Sequence, residues 1–509
     1  MRTGVIDIGS NSIKLIIGET EGEHITILEF LKNIVPIGKD SFYKGAIHQE
    51  TIKQILAIIE KYKNVLKEYD VSNVRLIATA AVREARNKDI LVDTLSRKTG
   101  FPVEVLTVGD VVYYIDAYLA YKLENRYPVH ERNVMIAELG AGSLDISIME
   151  KGFTLLNIGL PVGTLRTRQL LSKLDGSAEE SFEAIKQYIE NEFSYLKNAF
   201  PLDHIDDIIL LDESYSMYLS SLIKREGQDP GFFQLSAENI QNILTEFCDK
   251  NSEETARQYN IPREISETVC AYAMILNNFA ALSKNKYIYI LETSLAEAIL
   301  ANMLLGFKLD KRYNKTNQMS SIARFVCHKY NGDFIHAQHV VDLSKSLFEG
   351  VRGVIGVNDD DLLYLVLAAY LHDVGSFIHN RAHHKHSEYI INSLNLFRST
   401  QEEIKLIAGI ARYHRKATPR STHLLYNSLS LEKQIIVQKL SALLRIANAL
   451  DSSHRQKVKK LKVQANRSGD LSLVVHTREN FLLEKMEFSE KKVFFEEITG
   501  TKLNLVIKT

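Results

Sequence analysis

VIDIGSNSIKLIIG, residues 5–18, is the stretch of sequence that decides the fold of the front of this chain. Two apolar runs flank a polar tip at 9–11, and the residues after the tip alternate with a period of two, which predicts a β-hairpin. Residues 133–149, NVMIAELGAGSLDISIM, repeat the pattern around a second small-residue tip at 140–143. This weak internal repeat suggests two related α/β lobes that face each other across a cleft.

Strand and helix patterns alternate around the two hairpins. Residues 48–69 carry apolar side chains at helical spacing. Short strand-like runs are found at 74–78, 103–108, 208–211 and 287–291. Alternation of this kind predicts an α/β architecture for the first three hundred or so residues.

The character of the chain changes near residue 315. Helical periodicity becomes almost continuous, and 10 of the 16 histidines fall between His328 and His423. After Asp451 alternation returns, at 460–464, at 471–476, in a run ending near Ile498, and at 503–507. We therefore expect lobe I at 1–125, lobe II at 126–308, an all-α domain at 309–455 and a small strand-rich α+β domain at 456–509.

Length and composition bound the class of protein. A chain of 509 residues is too long for one ordinary core, and 45% hydrophobic with 25% charged residues is typical of globular domains. A net charge of −1 predicts no broad surface for nucleic acid or an anionic membrane. Cys248, Cys270 and Cys327 lie far apart without CxxC spacing, so we expect a reduced, cytoplasmic compartment. Neither a signal peptide nor a membrane span is predicted.

The two hairpin tips have the composition of phosphate-binding loops. Glycine and serine let consecutive backbone N–H groups approach a phosphate oxygen, and an adjacent carboxylate can hold Mg²⁺ directly or through water. The first loop offers Asp7, Gly9, Ser10, Asn11 and Ser12. The second offers Glu138, Gly140, Gly142, Ser143 and Asp145. One such loop is more often an ordinary tight hairpin, but two facing loops indicate a phosphate clamp.

These motifs resemble those of the exopolyphosphatase/guanosine pentaphosphate phosphatase (Ppx/GppA) family. DIGSNSIK at 7–14 is similar to the first phosphate loop of that family, and ATAAVREARN at 78–87 to its Ala-Thr-x-Ala-x-Arg-x-Ala-x-Asn segment. LPVG at 160–163 and Arg166 also fit. The resemblance runs over essentially the full length. It implies two actin-like, ribonuclease H-like lobes of the sugar-kinase/actin superfamily, followed by a helical domain.

The resemblance also implies an activity. Members of that family release terminal phosphate from polyphosphate or from guanosine penta/tetraphosphate by metal-assisted attack of water. By this resemblance, Asp7, Glu138 and Asp145 are the catalytic candidates, the loop residues and Arg83 are the phosphate ligands, and the cleft holds Mg²⁺ or Mn²⁺. A homodimer is implied in the same way.

The chain departs from the family pattern where the catalytic base is expected. GDVVYY at 109–114 stands in place of Gly-x-Glu-Glu-Ala-Arg, so Val112 replaces a carboxylate that would accept a proton from water. Asp110 and Asp116 are possible substitutes, although each points elsewhere on the helix. The second loop, ELGAGSLD, replaces Asp-x-Gly-Gly-Gly-Ser-Thr-Glu, and LDESY at 211–215 replaces a glycine-rich turn. The front half could therefore bind a phosphate chain without cleaving it efficiently.

A second candidate site centres on His372 and Asp373, at the end of the apolar helix predicted over 362–371. With His336 before them and Asp451 after them, they reproduce the order His…His-Asp…Asp. This order resembles that of the HD phosphohydrolases and implies a divalent metal, such as Mn, Fe or Zn, that generates hydroxide.

Further histidines extend this candidate site. His386 and His414 resemble the additional ligands of two-metal HD enzymes, and His339 is the main rival of His336. We expect three other histidines of this region to be solvated or to face the substrate; they are His379, His383 and His384.

Three functions stay open at this point. The first is a phosphohydrolase of the exopolyphosphatase class that works in the interlobe cleft, and it is the one we expect. The second is a metal-dependent nucleotide or phosphate-ester hydrolase located in the helical domain. The third is a non-catalytic sensor of polyphosphate or of guanosine tetraphosphate-type nucleotides.

Overall fold

The computed structural model describes residues 2–171, 173, 177–213, 215–219, 231–248, 252–396, 399–465 and 469–509. The chain divides into two compact units, Met1–Asn314 and Lys315–Thr509. The sequence suggested a boundary at 309. Residues 309–314 instead belong to the first unit, where the buried hydroxyl of Tyr313 lies 3.1 Å from Asp116 Oδ2.

The first sheet of the first unit has five strands, in the order β3-β2-β1-β4-β5. They are β1 (Thr3–Ile8), β2 (Ser12–Glu21), β3 (His24–Ile34), β4 (Asn73–Ala78) and β5 (Val103–Val105). β1 pairs antiparallel with β2 and parallel with β4, which confirms the first hairpin. Every residue of β1 is buried, as expected for a central strand of a sheet covered on both faces.

Five helices accompany this sheet. They are α1 (Ile37–Lys44), α2 (Gln49–Glu68), α3 (Ala80–Arg83), α4 (Lys88–Thr99) and α5 (Val108–Lys122). α2 is the helix predicted over 48–69. α5 begins with a capping box, in which Thr107 Oγ1 accepts from the backbone N–H of Asp110 and the Asp110 carboxylate accepts from the backbone N–H of Thr107.

The second sheet has six strands, in the order β10-β11-β9-β6-β7-β8. They are β6 (Asn133–Leu139), β7 (Leu144–Glu150), β8 (Phe153–Leu160), β9 (Asp207–Asp212), β10 (Phe232–Ser236) and β11 (Tyr287–Glu292). β6 pairs antiparallel with β7 and parallel with β9, as β1 does with β2 and β4. The sequence repeat therefore corresponds to a repeat of strand pairing.

Nine labelled helices complete the described part of the first unit. They are α6 (Thr164–Leu171), α7 (Ala178–Ala199), α8 (Tyr215–Tyr218), α9 (Ala237–Cys248), α10 (Ser252–Tyr259), α11 (Arg263–Ser266), α12 (Val269–Leu282), α13 (Leu295–Leu305) and α14 (Phe307–Arg312). The expectation of unpaired cysteines is wrong for two of the three. α9 and α12 pack together and bring Cys248 and Cys270 into a disulfide with a Cα–Cα distance of 5.0 Å, whereas Cys327 is free and buried.

The second unit is mainly helical. Its helices are α15 (Lys315–Lys329), α16 (Phe334–Ile355), α17 (Asp359–Leu371), α18 (His383–Asn392), α19 (Gln401–Arg412), α20 (Leu424–Asn427), α21 (Leu431–Ala449) and α22 (Leu482–Thr499). Its strands are β12 (Lys460–Ala465), β13 (Leu471–His476) and β14 (Leu503–Lys508), which form one sheet. The run ending near Ile498, expected to alternate as a strand, is the helix α22. Among the described residues, none of the helices combines the length and the apolar character needed to cross a bilayer.

Candidate functional site

The two small-residue tips meet at one cavity of the first unit, with a volume of about 410 Å³. Each tip closes in the same way: the N–H of Gly9 donates to the carbonyl of Ser12 at 3.0 Å, and that of Gly140 to Ser143 at 2.9 Å. The tips are in close approach, because a Cβ added to Gly142 would overlap Ser10 Oγ. The prediction that the two loops face each other is confirmed.

Three carboxylates line this cavity beside the tips. Asp7 on β1 and Asp145 on β7 are each 3% exposed, and Glu138 on β6 is half-buried. Burial raises the pKa of Glu138 to about 8, and the neighbouring Asp145 adds to the effect. Burial also raises the pKa of Asp145 to about 6, although Arg83 opposes it. The pKa of Asp7 is likewise raised by burial.

The oxygens of these groups are incompletely satisfied by the protein. Asp7 Oδ1 and Asp145 Oδ1 are buried and accept no hydrogen bond from the chain. A buried carboxylate oxygen without a partner is costly, and a divalent cation satisfies it. Oxygen-only donors suit Mg²⁺ or Mn²⁺, so the residues present fit the cation expected in the cleft.

The helix that was expected to carry a base presents an apolar side chain instead. Val111, not Val112, lines the cavity, while Val112 is 2% exposed within the core. The two substitutes considered are committed elsewhere. Asp110 caps α5, and Asp116 accepts from Ser147 Oγ at 2.7 Å in a buried network outside the cavity lining. Neither Asp110 nor Asp116 therefore supplies a base at the cavity, where the carboxylates beside the tips are Asp7, Glu138 and Asp145.

Two arginines of the family motifs, Arg83 and Arg166, stabilise loops through hydrogen bonds to backbone carbonyls. Arg83 does not line the cavity, and its Nη1 donates to the carbonyl of Leu106 at 2.8 Å, so its role as a phosphate ligand stays a prediction. Arg166 Nε donates to the carbonyl of Gly142 at 2.7 Å, and its Nη2 donates to both carboxylate oxygens of Glu84. Arg166 thereby fixes the second tip.

An ionic cluster at the cavity was missed by sequence reasoning. Lys32 Nζ donates to Glu213 Oε1 at 3.0 Å, Lys14 Nζ donates to Glu213 Oε2, and Lys14 Nζ also lies 3.7 Å from Asp7 Oδ2. All four side chains line the cavity. Lys14 and Lys32 are directly opposite each other on neighbouring strands. This could have been found from the sequence only if the pairing of β2 with β3 had been known.

The second unit gathers histidines around Asp373. Among the described residues, two groups of donor atoms lie within 4.8 Å of one another. They are His336, Asp373 and His454, and Asp373, His383 and His414. Because Asp373 belongs to both groups, its two carboxylate oxygens could bridge two metal ions.

Backbone hydrogen bonds fix the tautomers of three histidines around Asp373 and leave their Nε2 atoms available to a cation. The Nδ1–H of each of three rings donates to a backbone carbonyl, from His372 to Ala369 at 2.7 Å, from His383 to Asn380 at 3.1 Å and from His414 to Ala411 at 2.7 Å. In neutral rings the lone pair then lies on Nε2. The Nε2 atoms of His383 and His414 are 3.2 Å apart and lie 3.0 and 3.3 Å from Asp373 Oδ1. These two nitrogens and Asp373 Oδ1 would hold a metal ion together.

His372, predicted as a ligand, lies beside these groups. It is fully buried, and burial lowers its pKa to about 3, so the ring is neutral. Its Nε2 lies 3.4 Å from Asp373 Oδ2 and makes no hydrogen bond. An unpartnered buried imidazole nitrogen at this position fits a metal ligand.

Other predicted ligands lie outside the two groups. His386 belongs to neither, whereas His383, expected to be solvated or to face the substrate, is 6% exposed and belongs to the second group. The reason is helical phase: His383 and Ser387 share the buried side of α18, and His386 does not. Asp451 Oδ2 lies 2.8 Å from His336 Nδ1, and its Oδ1 accepts from the N–H of Gln456 at 2.7 Å.

His454 was missed although it follows Asp451 by three residues. Its ring stacks on that of His336 with 3.6 Å between centroids, and its Nδ1 lies 3.0 Å from Asp333 Oδ2. His339, the rival of His336, is also outside both groups. The turn after α21 therefore brings to the first group a side chain that spacing alone did not identify.

Residues 5–307 match the Ppx/GppA phosphatase family, and residues 318–491 match domain III of the Ppx/GppA phosphatases. The chain belongs to the Ppx/GppA phosphatase family. The resemblance stated from the loop motifs is thereby confirmed.

Curated relatives of this Ppx/GppA phosphatase have low identity to it. A guanosine-5'-triphosphate,3'-diphosphate pyrophosphatase of Pseudoalteromonas atlantica is 20% identical over 87% of this chain and 84% of its own length. The bifunctional 3-dehydroquinate synthase/phosphatase of Fusobacterium nucleatum is 26% identical over 38% of this chain and 30% of its own length. Exopolyphosphatase 1 of Mycobacterium bovis is 24% identical, over 34% of this chain and 49% of its own length. The match thus covers less than half of the length of two of these relatives.

Solved structures support the fold of the Ppx/GppA phosphatase. An exopolyphosphatase from Cytophaga hutchinsonii superposes with a TM-score of 0.53 at 21% identity, covering 61% of this chain and 99% of that chain. The Aquifex aeolicus Ppx/GppA family member gives a TM-score of 0.51 at 23% identity, covering 60% and 98%. At these identities the likeness concerns the fold alone, and it supports the actin-like architecture of the first unit.

Proposed function

We propose that this Ppx/GppA phosphatase releases the terminal phosphate of a phosphate chain, either polyphosphate or guanosine penta/tetraphosphate, in the cavity of its first unit. The observation that carries the proposal is the meeting of two small-residue tips at a cavity lined by Asp7, Glu138 and Asp145. Backbone N–H groups of the tips bind phosphoryl oxygens, while the carboxylates supply the acid–base and cation-binding groups.

The roles of the three carboxylates differ. Asp7 and Asp145, each with a buried oxygen that lacks a protein partner, would hold a divalent cation. When bound, that cation neutralises developing charge on the phosphoryl oxygens. Glu138 accepts the proton of the attacking water, because it lines the cavity and its pKa of about 8 lies near neutral to slightly alkaline pH, where a general base is most effective.

Phosphate release from polyphosphate and from guanosine pentaphosphate, with Mg²⁺ present, tests this assignment. Glu138→Gln is expected to lower kcat by roughly 10²- to 10⁴-fold, the usual range for loss of a general base. The control is a His372→Ala/Asp373→Ala double variant, which is expected to retain phosphate release. If the double variant were inactive and Glu138→Gln active, the reaction would belong to the second unit.

A second candidate function rests on the donors around Asp373. We propose that the second unit binds two divalent metal ions, through His336 and His454 on one side and His383 and His414 on the other, with Asp373 between them. His372 and Asp451, named from the sequence, are further candidates in direct contact with these groups. Such a centre would hydrolyse a nucleotide or another phosphate ester.

Metal analysis of protein purified without chelator separates these possibilities. Bound transition metal that disappears in the His372→Ala/Asp373→Ala variant would support the second centre. Hydrolysis of nucleotides by wild type but not by that variant would assign it an activity of its own. Absence of metal from wild-type protein would argue against the centre.

A further inference from the structure

Two lysines face the cavity from neighbouring strands. Lys14 on β2 and Lys32 on β3 are directly paired in the antiparallel register, and both line the cavity. Their side chains are 13% and 32% exposed, so solvent screens their charges only in part. Like charges directly opposite each other destabilise a sheet, and a pair of this kind calls for an anion between its members.

Glu213 supplies that anion from the other sheet. It is the first residue after β9, and its two carboxylate oxygens accept from the two lysines separately, from Lys32 Nζ at 3.0 Å and from Lys14 Nζ. Although burial raises the pKa of Glu213, the two lysines lower it to about 2, so the carboxylate stays ionised throughout the physiological range. The Glu213 carboxylate therefore joins the two sheets across the cavity.

The position of this bridge relates it to the reaction. Lys14 Nζ lies 3.7 Å from Asp7 Oδ2, and the first tip follows Asp7 directly. A phosphate chain whose terminal group occupies the tips therefore passes close to the lysine pair. Two oxygens of a phosphoryl group can replace the two oxygens of a carboxylate between the same ammonium groups.

We propose that Lys14 and Lys32 form a binding site for a second phosphoryl group of the chain substrate, and that Glu213 occupies this site until the substrate displaces it. The inference rests on the proposed function of the cavity. It identifies the preferred ligand as a phosphate chain that engages the tips and the lysine pair together. Orthophosphate, the product, has a single phosphoryl group and competes poorly with a tethered carboxylate.

Because Glu213 competes with the substrate for the two lysines, it lowers the apparent affinity for the phosphate chain by a measurable factor. If the lysine pair is free for only about a tenth of the time, the apparent affinity for the chain falls about tenfold. Removing the charge of Glu213 should recover that factor for a phosphate chain. It should leave the affinity for orthophosphate changed by no more than about twofold, because that ligand need not reach the lysines.

The test is direct binding of inorganic tripolyphosphate to the full chain, measured by calorimetry in metal-free buffer so that turnover does not interfere. Glu213→Gln is expected to bind tripolyphosphate about tenfold more tightly than wild type. The matched control is Glu264→Gln. Glu264 lines the same cavity and, within the described ranges, makes no ion pair with either lysine. Its change reports the general effect of removing one negative charge, expected at about twofold or less.

A Lys32→Gln variant tests whether the lysine pair itself binds tripolyphosphate. It is expected to weaken tripolyphosphate binding, and in the double variant with Glu213→Gln the tenfold gain should disappear, because the site itself is lost. Glu213→Ala repeats the test if Glu213→Gln unfolds, as judged by thermal denaturation. Unchanged or weaker binding in both Glu213 variants, or an equal gain in Glu264→Gln, would overturn the proposal.

Failure of the proposed function gives a different result. If no phosphate is released from any chain but Glu213→Gln still binds tripolyphosphate more tightly, the lysine site stands and the hydrolytic assignment falls. If phosphate is released and Glu213→Gln leaves tripolyphosphate binding unchanged, the hydrolytic assignment stands and Glu213 is only a link between the sheets.

Discussion

In the proposed metal centre of the second unit, the backbone fixes the orientation of two histidine rings. The carbonyls of Ala369 and Ala411 lie in the last turns of α17 and α19, where few N–H groups are left for them, and the backbone N–H of His414 reaches Ala411 only at 3.4 Å. The Nδ1–H groups of His372 and His414, just beyond each helix end, fill this need at 2.7 Å. The hydrogen bond from each Nδ1–H to a backbone carbonyl thus orients the ring so that its Nε2 faces Asp373.

Two histidines of α18, His383 and His386, are expected to differ in their contribution to metal binding. His383→Ala is expected to remove about half of the bound metal, since it takes one donor from one of the two groups around Asp373. His386→Ala, three residues along α18, is expected to keep the wild-type metal content. Elemental analysis of both variants, purified in parallel without chelator, provides the measurement. Loss of metal in His386→Ala with retention in His383→Ala would reverse the ligand assignment.

At the scale of elements, each hairpin tip is supported by the segment that leads into a helix. The first tip rests on the start of α1 and the residues before it, where the N–H groups of Val35 and Gly38 donate to the carbonyls of Asn11 and Ser10 at 3.0 and 2.7 Å. The second rests in the same way on the segment that leads into α6. The N–H groups of Thr164 and Leu165 donate to the carbonyls of Gly140 and Ala141 at 3.2 and 3.0 Å. Close backbone approach is required there, because a Cβ on Gly163 would overlap the carbonyl oxygen of Ala141.

Gly163→Ala should therefore move the second tip. We expect a loss of about 1–3 kcal/mol in the free energy of unfolding, because a backbone atom rather than a flexible side chain must give way. Phosphate release should fall at least about tenfold, since the tip positions its N–H groups against the phosphate. Urea unfolding and a phosphate-release assay check the two effects.

Gly353→Ala is the control substitution, in the helix α16, where nothing lies within 4 Å of the added Cβ. It is expected to stabilise the protein by about 0.5–1 kcal/mol through helix propensity and to leave phosphate release unchanged. A Gly163→Ala protein as stable and active as this control would mean that the second tip tolerates displacement.

The whole molecule consists of two compact units that carry different donor sets. The cavity of the first unit offers carboxylate oxygens, and the centre of the second offers mainly imidazole nitrogens. Oxygen donors favour Mg²⁺ and Mn²⁺, whereas imidazole favours transition metals such as zinc or iron. A chelator selective for transition metals should therefore act on the second unit alone.

Calorimetric unfolding of the full chain with 1,10-phenanthroline, in buffer containing excess Mg²⁺, tests this separation. The transition of the second unit is expected to fall by several degrees, because metal bound only to the folded state stabilises it. The His372→Ala/Asp373→Ala variant assigns the transition, since its unfolding should no longer respond to the chelator. A chelator effect that persists in this variant would place the metal elsewhere.

Much of this protein was determined by its sequence alone. The paired tips at Gly9 and Gly140, the α/β front half and the helical second half follow from hydrophobic period and turn composition, which are local properties of the chain. The order of His336, His372, Asp373 and Asp451 likewise pointed to the second site. Local chemistry was sufficient for the tips and the helices and strands, because those signals lie within a few residues of the element they specify, whereas the order of the four metal-ligand candidates rested on a resemblance to a known family.

Tertiary structure decided what depends on the meeting of distant segments. The position of His383, rather than His386, beside Asp373 depends on the face that α18 buries. The pairing of Cys248 with Cys270 depends on how α9 packs on α12. The bridge from Glu213 to the two lysines joins different sheets, so no spacing in the chain announces it. Such contacts form only when folding brings together residues that the sequence keeps far apart.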